Sequence, residues 1–222
     1  MLLRTDRISL RYGDGDTLTY AVRNVTMEVP ESGFFGIMGP SGSGKSSLLY
    51  LMSGLKQPTE GSVHYRDRCV SDMSNKDLAI LRRNEFGFVF QQPFLLNYLS
   101  ARENVLTAAT KQFTADREVD DILAQLSILH LAGRAPAHLS GGEKQRIAVA
   151  RAMINQPRVI FADEPTAALD RTNGLAVMEL LKSYRHKGLV IVVTHDETML
   201  SGADRIYHMD DGKLHHVAQP AA

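Results

Sequence analysis

One stretch constrains this chain more than any other: Gly39-Pro40-Ser41-Gly42-Ser43-Gly44-Lys45-Ser46-Ser47. A glycine, four residues and then Gly-Lys-Ser follow a continuously apolar run, Phe34 to Met38. They precede the helical spacing of Leu48, Leu49, Leu51, Met52 and Leu55. Strand, loop and helix in that order give this spacing its meaning as a phosphate-binding loop rather than a glycine-rich turn. Glycines let successive backbone N–H groups point inward, and a helix starting near Ser46 adds the positive end of its dipole. In such a loop Lys45 reaches the β- and γ-phosphates as a point charge, and the Ser46 hydroxyl ligates Mg²⁺.

The surrounding pattern is what such a loop needs. Apolar and polar residues alternate through Ile8, Leu10 and Tyr12 and again through Val25, Met27 and Val29, with Gly13-Asp14-Gly15-Asp16 between, which predicts an antiparallel flank. Phe34 to Met38 has the unbroken apolar character of a parallel strand covered on both faces. The helix after Lys45 is expected to end near Gly54, ahead of Pro58. A short strand over Gly61 to Tyr65, a short helix over Lys76 to Arg83 and a strand over Phe86 to Phe90 follow, the last running into Gln91-Gln92-Pro93. From Asn97 to about Leu131 the period becomes helical, with Val119, Ile122, Leu123, Leu126 and Leu129 on one face. Val159 to Ala162 and Val190 to Val193 are buried-strand candidates on either side of a helix over Asn173 to Arg185. Asp211-Gly212 predicts a hairpin turn, and Gln219 to Ala222 a frayed end. Strands alternating with helices make the expected fold α/β, a mostly parallel core sheet with an antiparallel β flank and a helical insertion.

Composition narrows the function. A length of 222 residues suits one sizeable α/β domain. The 25 lysines and arginines equal the 25 aspartates and glutamates, so there is no electrostatic reason to expect nucleic acid as a partner. Cys69 is the single cysteine and has neither a disulfide mate nor metal-site companions, which suits a reducing cytosol. The N-terminus lacks the apolar core of a signal peptide, and no apolar run approaches the ~20 residues that span a bilayer. Action at a membrane would therefore need another chain to supply the membrane part.

In open α/β sheets ligands sit beyond the carboxyl ends of the strands. Four apolar strands here are followed by the phosphate loop, by Gln91, by Asp163-Glu164 and by Thr194-His195. A carboxylate pair directly after a buried strand is hydrated, paired or metal-bound. Phosphoryl transfer uses one acid to hold Mg²⁺ and one to polarise the attacking water, so Asp163 is assigned to the metal and Glu164 to the general base. By itself the pair could equally be a solvated turn capped by Pro165. A neutral His195 imidazole would donate to a γ-phosphate oxygen or position the water, and the Gln91 amide oxygen would face Mg²⁺ or water. His215 and His216 read as surface residues.

Leu139-Ser140-Gly141-Gly142-Glu143, followed by Lys144-Gln145-Arg146, resembles the signature motif of ATP-binding cassette (ABC) ATPases, whose usual form ends in Gln where this chain has Glu143. The other motifs fall in that family's order. Gly39 to Ser46 resembles its Walker A loop, Gln91 its Q-loop, Val159 to Asp163 its Walker B strand with Glu164 after it, and His195 its switch histidine. Ala167-Ala168-Leu169-Asp170 resembles its D-loop, which more often begins with Ser or Gly. Tyr12 matches the aromatic that stacks on adenine in similar proteins, with Tyr20 as a rival. Arg82-Arg83, Phe86 to Gln91 and Leu99 to Val105 look most like the branch that contains the macrolide exporter MacB, the lipoprotein-releasing ATPase LolD and the division protein FtsE.

The resemblance implies a P-loop NTPase cassette. Residues 1–91 and 156–222 would form a RecA-like core with its β flank, and about 92–155 a helical subdomain carrying the signature motif. It implies ATP and Mg²⁺ as ligands and a homodimer around two ATP, in which Ser140, Gly141 and Gly142 of one copy face the phosphate loop of the other. It further implies a transmembrane permease docking on Gln91 to Leu99, at the cytoplasmic face of the inner membrane. Because the sequence ends at Ala222 without a membrane segment, it resembles the stand-alone subunits of the branch. An FtsE-like signalling ATPase without cargo, or a soluble ABC ATPase outside transport, are the alternatives.

Overall fold

The computed structural model describes residues 1–13, 18–110 and 115–217. Asp14, Gly15 and Asp16 of the expected first link, part of the stretch expected to be helical, and Gln219 to Ala222 lie outside them. In chain order the strands and helices are β1 (Leu3–Tyr12), β2 (Thr19–Val29), β3 (Gly33–Met38), α1 (Lys45–Met52), β4 (Glu60–Tyr65), β5 (Arg68–Cys69) and α2 (Asn75–Glu85). They continue with β6 (Phe86–Val89), α3 (Ala101–Leu106), α4 (Ala115–Gln125), α5 (Gly141–Met153), β7 (Val159–Asp163), α6 (Arg171–Ser183), β8 (Leu189–Thr194), β9 (Arg205–Asp210) and β10 (Lys213–Val217). The chain forms two compact units, one of residues 1–80 and 191–222, the other of residues 81–190. The division falls inside α2 and β8.

In the first unit, the alternating N-terminal residues form the expected antiparallel sheet, ordered β2-β1-β4-β5. Leu3 pairs with Val29 and Tyr12 with Thr19, with register shifts between Thr5 and Arg11. β3 runs parallel to β9, Phe35 opposite Arg205 and Met38 opposite His208. β9 turns back into antiparallel β10 through Asp211 and Gly212, whose φ values of 42° and 74° are those of a type I′ hairpin. Ile191 to Thr194 of β8 neighbour β3 in the sheet. Phe34, Ile37, Leu48, Leu51 and Met52 are all 0% exposed, so β3 and α1 share one apolar core. Each such side chain contributes about 1.5–3 kcal/mol on burial.

In the second unit β6 and β7 are parallel, Phe86 opposite Val159 and Val89 opposite Ala162. Helix α5 lies so close on β6 that a Cβ on Gly87 would run into the carbonyl oxygen of Ala152. Phe86 meets Phe161 edge-on at 5.2 Å between ring centres, and Phe88 stacks on Phe161 at 5.7 Å. The expected helical stretch is two helices, α3 and α4. Val119, Ile122, Leu123 and Leu126 are buried as their spacing predicts, but Leu129 is 42% exposed. Helix α4 ends at Gln125, and Ser127 at φ 58° swings the chain into a 3-10 turn over Leu129–Leu131 that turns this leucine outward.

Candidate nucleotide site

The first unit holds the phosphate loop. β3 delivers Gly39, and α1 begins at Lys45 with no side-chain cap and no acid in its first turn, so its N-terminal N–H groups face no built-in anion. Gly44 sits at φ 101°, and a Cβ there would run into the Ala21 carbonyl oxygen. At Gly39 a Cβ would strike the Met209 carbonyl oxygen, and Gly212 N–H donates to Ser43 O at 3.1 Å, so the β9–β10 hairpin braces the loop from outside. Lys45 is buried, and its Nζ donates to Gly39 O and Pro40 O, 2.9 Å each, which folds the ammonium over the loop. Ser43 Oγ is buried at 4% residue exposure without a hydrogen-bond partner. An orphaned hydroxyl beside an uncapped helix start and a buried ammonium is the chemistry of an oxyanion site.

His195, exposed, follows the last residue of β8. Tyr12 and Tyr20 differ in what covers their rings. The Arg23 guanidinium lies 4.7 Å from the Tyr20 ring centre and occupies one face. Tyr12 is 47% exposed and is met at its hydroxyl by Lys56 Nζ, 2.6 Å away. The ammonium is 5.2 Å from that ring centre, beyond the hydroxyl edge, so Lys56 does not cover a face of Tyr12 as Arg23 covers one of Tyr20.

The second unit brings the other expected residues together in two groups. Because Val89 pairs with Ala162 in parallel, Gln91 and Asp163-Glu164 emerge from neighbouring strands at the same end. Asp163, the last residue of β7, is 6% exposed, while Glu164 is half-buried with its backbone at φ 45°, the left-handed region. Gln145 Nε2 donates to Phe90 O at 2.9 Å and anchors the strand end just before Gln91.

Ser140, Gly141 and Gly142 form the second group, at the start of α5. Ser140 is the N-cap: its Oγ accepts from Glu143 N–H at 3.3 Å, while Glu143 Oε2 accepts from Ser140 N–H at 2.7 Å and from its hydroxyl at 2.8 Å. Glu143 in place of the usual Gln thus closes a capping box. The Ser140 backbone and then its hydroxyl hold the Glu143 carboxyl below the ordinary range. A Cβ on Gly142 would meet the Asn173 side chain, and Arg146 Nη2 donates to Asn173 Oδ1 at 3.5 Å. Asn173 also donates from its backbone to Asp170, the N-cap of α6, at 3.1 Å, so one amide ties the signature stretch to Ala167–Asp170. Sequence reasoning missed Asn173; its only local signal was its place three residues after an Asp N-cap.

Beyond Gln91, Phe94, Leu96 and Tyr98 are 62%, 38% and 81% exposed. Arg151 donates to Pro93 O at 2.6 Å and to Phe94 O at 2.9 Å; burial pushes its guanidinium below the usual range. Asn104, 0% exposed, was also unforeseen: its Oδ1 accepts from Leu96 N–H at 2.7 Å. Its Nδ2 faces Leu96 O, Leu99 O and Ser100 O at 3.1, 3.2 and 2.9 Å.

Known proteins resemble this chain in sequence and fold. A family model described as ABC transporter matches residues 22–167. An uncharacterised ABC transporter ATP-binding protein, MJ1508 of Methanocaldococcus jannaschii, is 41% identical over 209 residues, covering 91% of this chain and 93% of its own. The macrolide export ATP-binding/permease protein MacB of Wolinella succinogenes is 37% identical over 99% of this chain, which spans only 35% of that longer protein. A solved dimeric structure of the ATP-binding cassette MJ0796, in a post-hydrolysis state bound to ADP and Pi, superposes with a TM-score of 0.88. It is 35% identical and covers 98% of this chain and 99% of its own.

Proposed function

Because the chain belongs to the ABC transporter family, we propose that it is the ATP-hydrolysing cassette of a transport complex, dimerising around ATP and driving a separate transmembrane permease. The phosphate loop carries this reading: Gly44 where no side chain fits, Lys45 folded over the loop and the orphaned Ser43 hydroxyl together suit a polyphosphate. Gly39 to Ser47 bind the phosphates, and Tyr12 stacks on the adenine. Glu164 polarises the attacking water, and His195 holds the γ-phosphate or that water in line. Ser46, Gln91 and Asp163 offer hydroxyl, amide and carboxylate oxygens, a hard donor set suited to Mg²⁺ that shares its shell with phosphate and water. Bound there, Mg²⁺ would neutralise charge on the β- and γ-phosphates.

Ser140, Gly141 and Gly142 serve the other copy. Helix α5, 13 residues long, opens inside its Ser140–Glu143 cap with Gly141 and Gly142, first-turn residues without side chains, which lets a γ-phosphate approach closely. The MJ0796 cassette is a dimer with nucleotide products bound, which supports the same pairing here. Hydrolysis then removes charge that holds two copies together. We place the RecA-like core at 1–91 and 156–222 and the helical subdomain at about 92–155.

The permease docks on Gln91 to Leu99. Exposed Phe94, Leu96 and Tyr98 supply apolar contacts, and a groove of about 330 Å³ lined by Arg82, Arg83, Phe88 and Arg151 lies in the same unit. Among the described residues no helix is long and apolar enough to cross a membrane, so the cytoplasmic membrane face would be reached through that partner. Replacing Glu164 by Gln tests the reading. Turnover should fall at least about 100-fold, as expected for loss of a general base, and an ATP-dependent dimer should accumulate on size exclusion. A variant that turns over normally, or stays monomeric with ATP, refutes the assignment.

A further inference from the structure

We propose that Lys56 is a positioning residue for the adenine ring, acting through Tyr12; the inference rests on Tyr12 being the stacking platform. Tyr12 ends β1 opposite Thr19, and a half-exposed ring there can swing about two side-chain bonds. The Lys56 ammonium restrains it by donating to the hydroxyl at 2.6 Å. Lys56 is itself fixed at its base: its backbone N–H donates to Tyr50 O at 3.0 Å, and Gly54 N–H to Leu51 O at 3.1 Å, folding the chain onto the end of α1. Helix α1 starts at Lys45 in the phosphate loop. One side chain therefore ties the ring that meets the base to the helix whose other end meets the phosphates. It does so from the ring edge and not over a face, unlike Arg23 over Tyr20.

The geometry makes the effect specific to ligands that carry a base. Titration with an ATP analogue labelled on the ribose, competed by ATP or by inorganic triphosphate, separates base from phosphate binding. Lys56→Met should weaken ATP about three-fold, the size of one exposed hydrogen bond, and leave triphosphate affinity as it was. In a Tyr12→Phe background, which lacks the acceptor, Lys56→Met should add nothing further. Equal weakening of ATP and triphosphate would show that Lys56 only supports α1, and an unchanged ATP affinity would show no role; either overturns the inference. Failure of the unmutated chain to bind both ligands would instead sink the nucleotide-site reading.

Discussion

Asn104→Asp changes one amide nitrogen to oxygen at a fully buried site and should be among the most damaging isosteric substitutions in the chain. The native Nδ2 has two hydrogens, and three carbonyls, of Leu96, Leu99 and Ser100, lie 2.9–3.2 Å from it. An aspartate puts a charged oxygen against those three oxygens. Two net hydrogen bonds are lost, and the buried charge keeps Leu96 N–H as its donor while facing three carbonyls, of which Leu96 O and Ser100 O still accept from Leu99 N–H and Asn104 N–H. Together these cost about 3–5 kcal/mol. For a chain of this size that lowers Tm by roughly 6–20 °C. Burial and the facing carbonyls raise the carboxyl's folded-state pKa above its unfolded value. The protonated form, which regains one donor, prevails below the unfolded carboxyl pKa of about 4, and its contribution is lost as pH rises through the raised folded value. The deficit relative to the native chain should therefore grow from about pH 5 to about pH 8, whereas that of Asn104→Ala stays flat. Scanning calorimetry at both pH values decides it. A Tm within about 2 °C of native at pH 8, or the same pH dependence in Asn104→Ala, refutes the reasoning.

Gly44→Ala forces a side chain into left-handed backbone and against the Ala21 carbonyl, so ATP affinity measured by calorimetry should drop at least about 10-fold; native affinity would contradict the loop geometry. Because the Glu143 carboxyl is depressed by Ser140, its contribution is present above the unfolded carboxylate pKa and lost as pH falls through the lower folded value. Thermal melts from about pH 5 to 3 should show that loss, well under about 1 kcal/mol for so exposed a group, in the native chain and not in Glu143→Gln. Tyr184 is 2% exposed and donates to Pro157 O at 2.7 Å, so Tyr184→Phe should cost about 1–2 kcal/mol in chemical denaturation. Burial holds the phenol well above its usual range, so that cost should hold between about pH 7 and 9 and shrink as pH rises past the unfolded phenol's value of about 10.

Elements buried on both faces were readable because burial leaves an unbroken apolar run: β3, β7 and β8 lie where Phe34 to Met38, Val159 to Ala162 and Val190 to Val193 predict them. The turns into α1 and α5 were readable because Gly44-Lys45 and Ser140-Gly141-Gly142-Glu143 are residues that such helix starts demand at fixed spacing. The Asp211-Gly212 turn implied a strand on either side, but the parallel pairing of β9 with β3 was not anticipated, since Arg205 to Asp210 mixes charged and apolar residues and β3 is far away in sequence. Leu129 misled because helical spacing continued by chance past Ser127, which carries no breaker signal. Asn104, Asn173 and Lys56 stayed hidden for a shared reason. Asparagine and lysine look like loop and surface residues in sequence, and their roles exist only once Leu96, Gly142 and Tyr12 are brought to them.

Glu164 bears on how far this chain can be improved. A non-glycine residue at φ 45° carries strain of about 1–2 kcal/mol, and its carbonyl holds Ala167 N–H at 3.2 Å in the turn that follows. Glycine at the same place would relax the backbone and delete the carboxylate. With Glu164 as the general base proposed above, selection for thermal robustness alone would push position 164 toward a cassette without that base, so stability and turnover oppose each other at this residue.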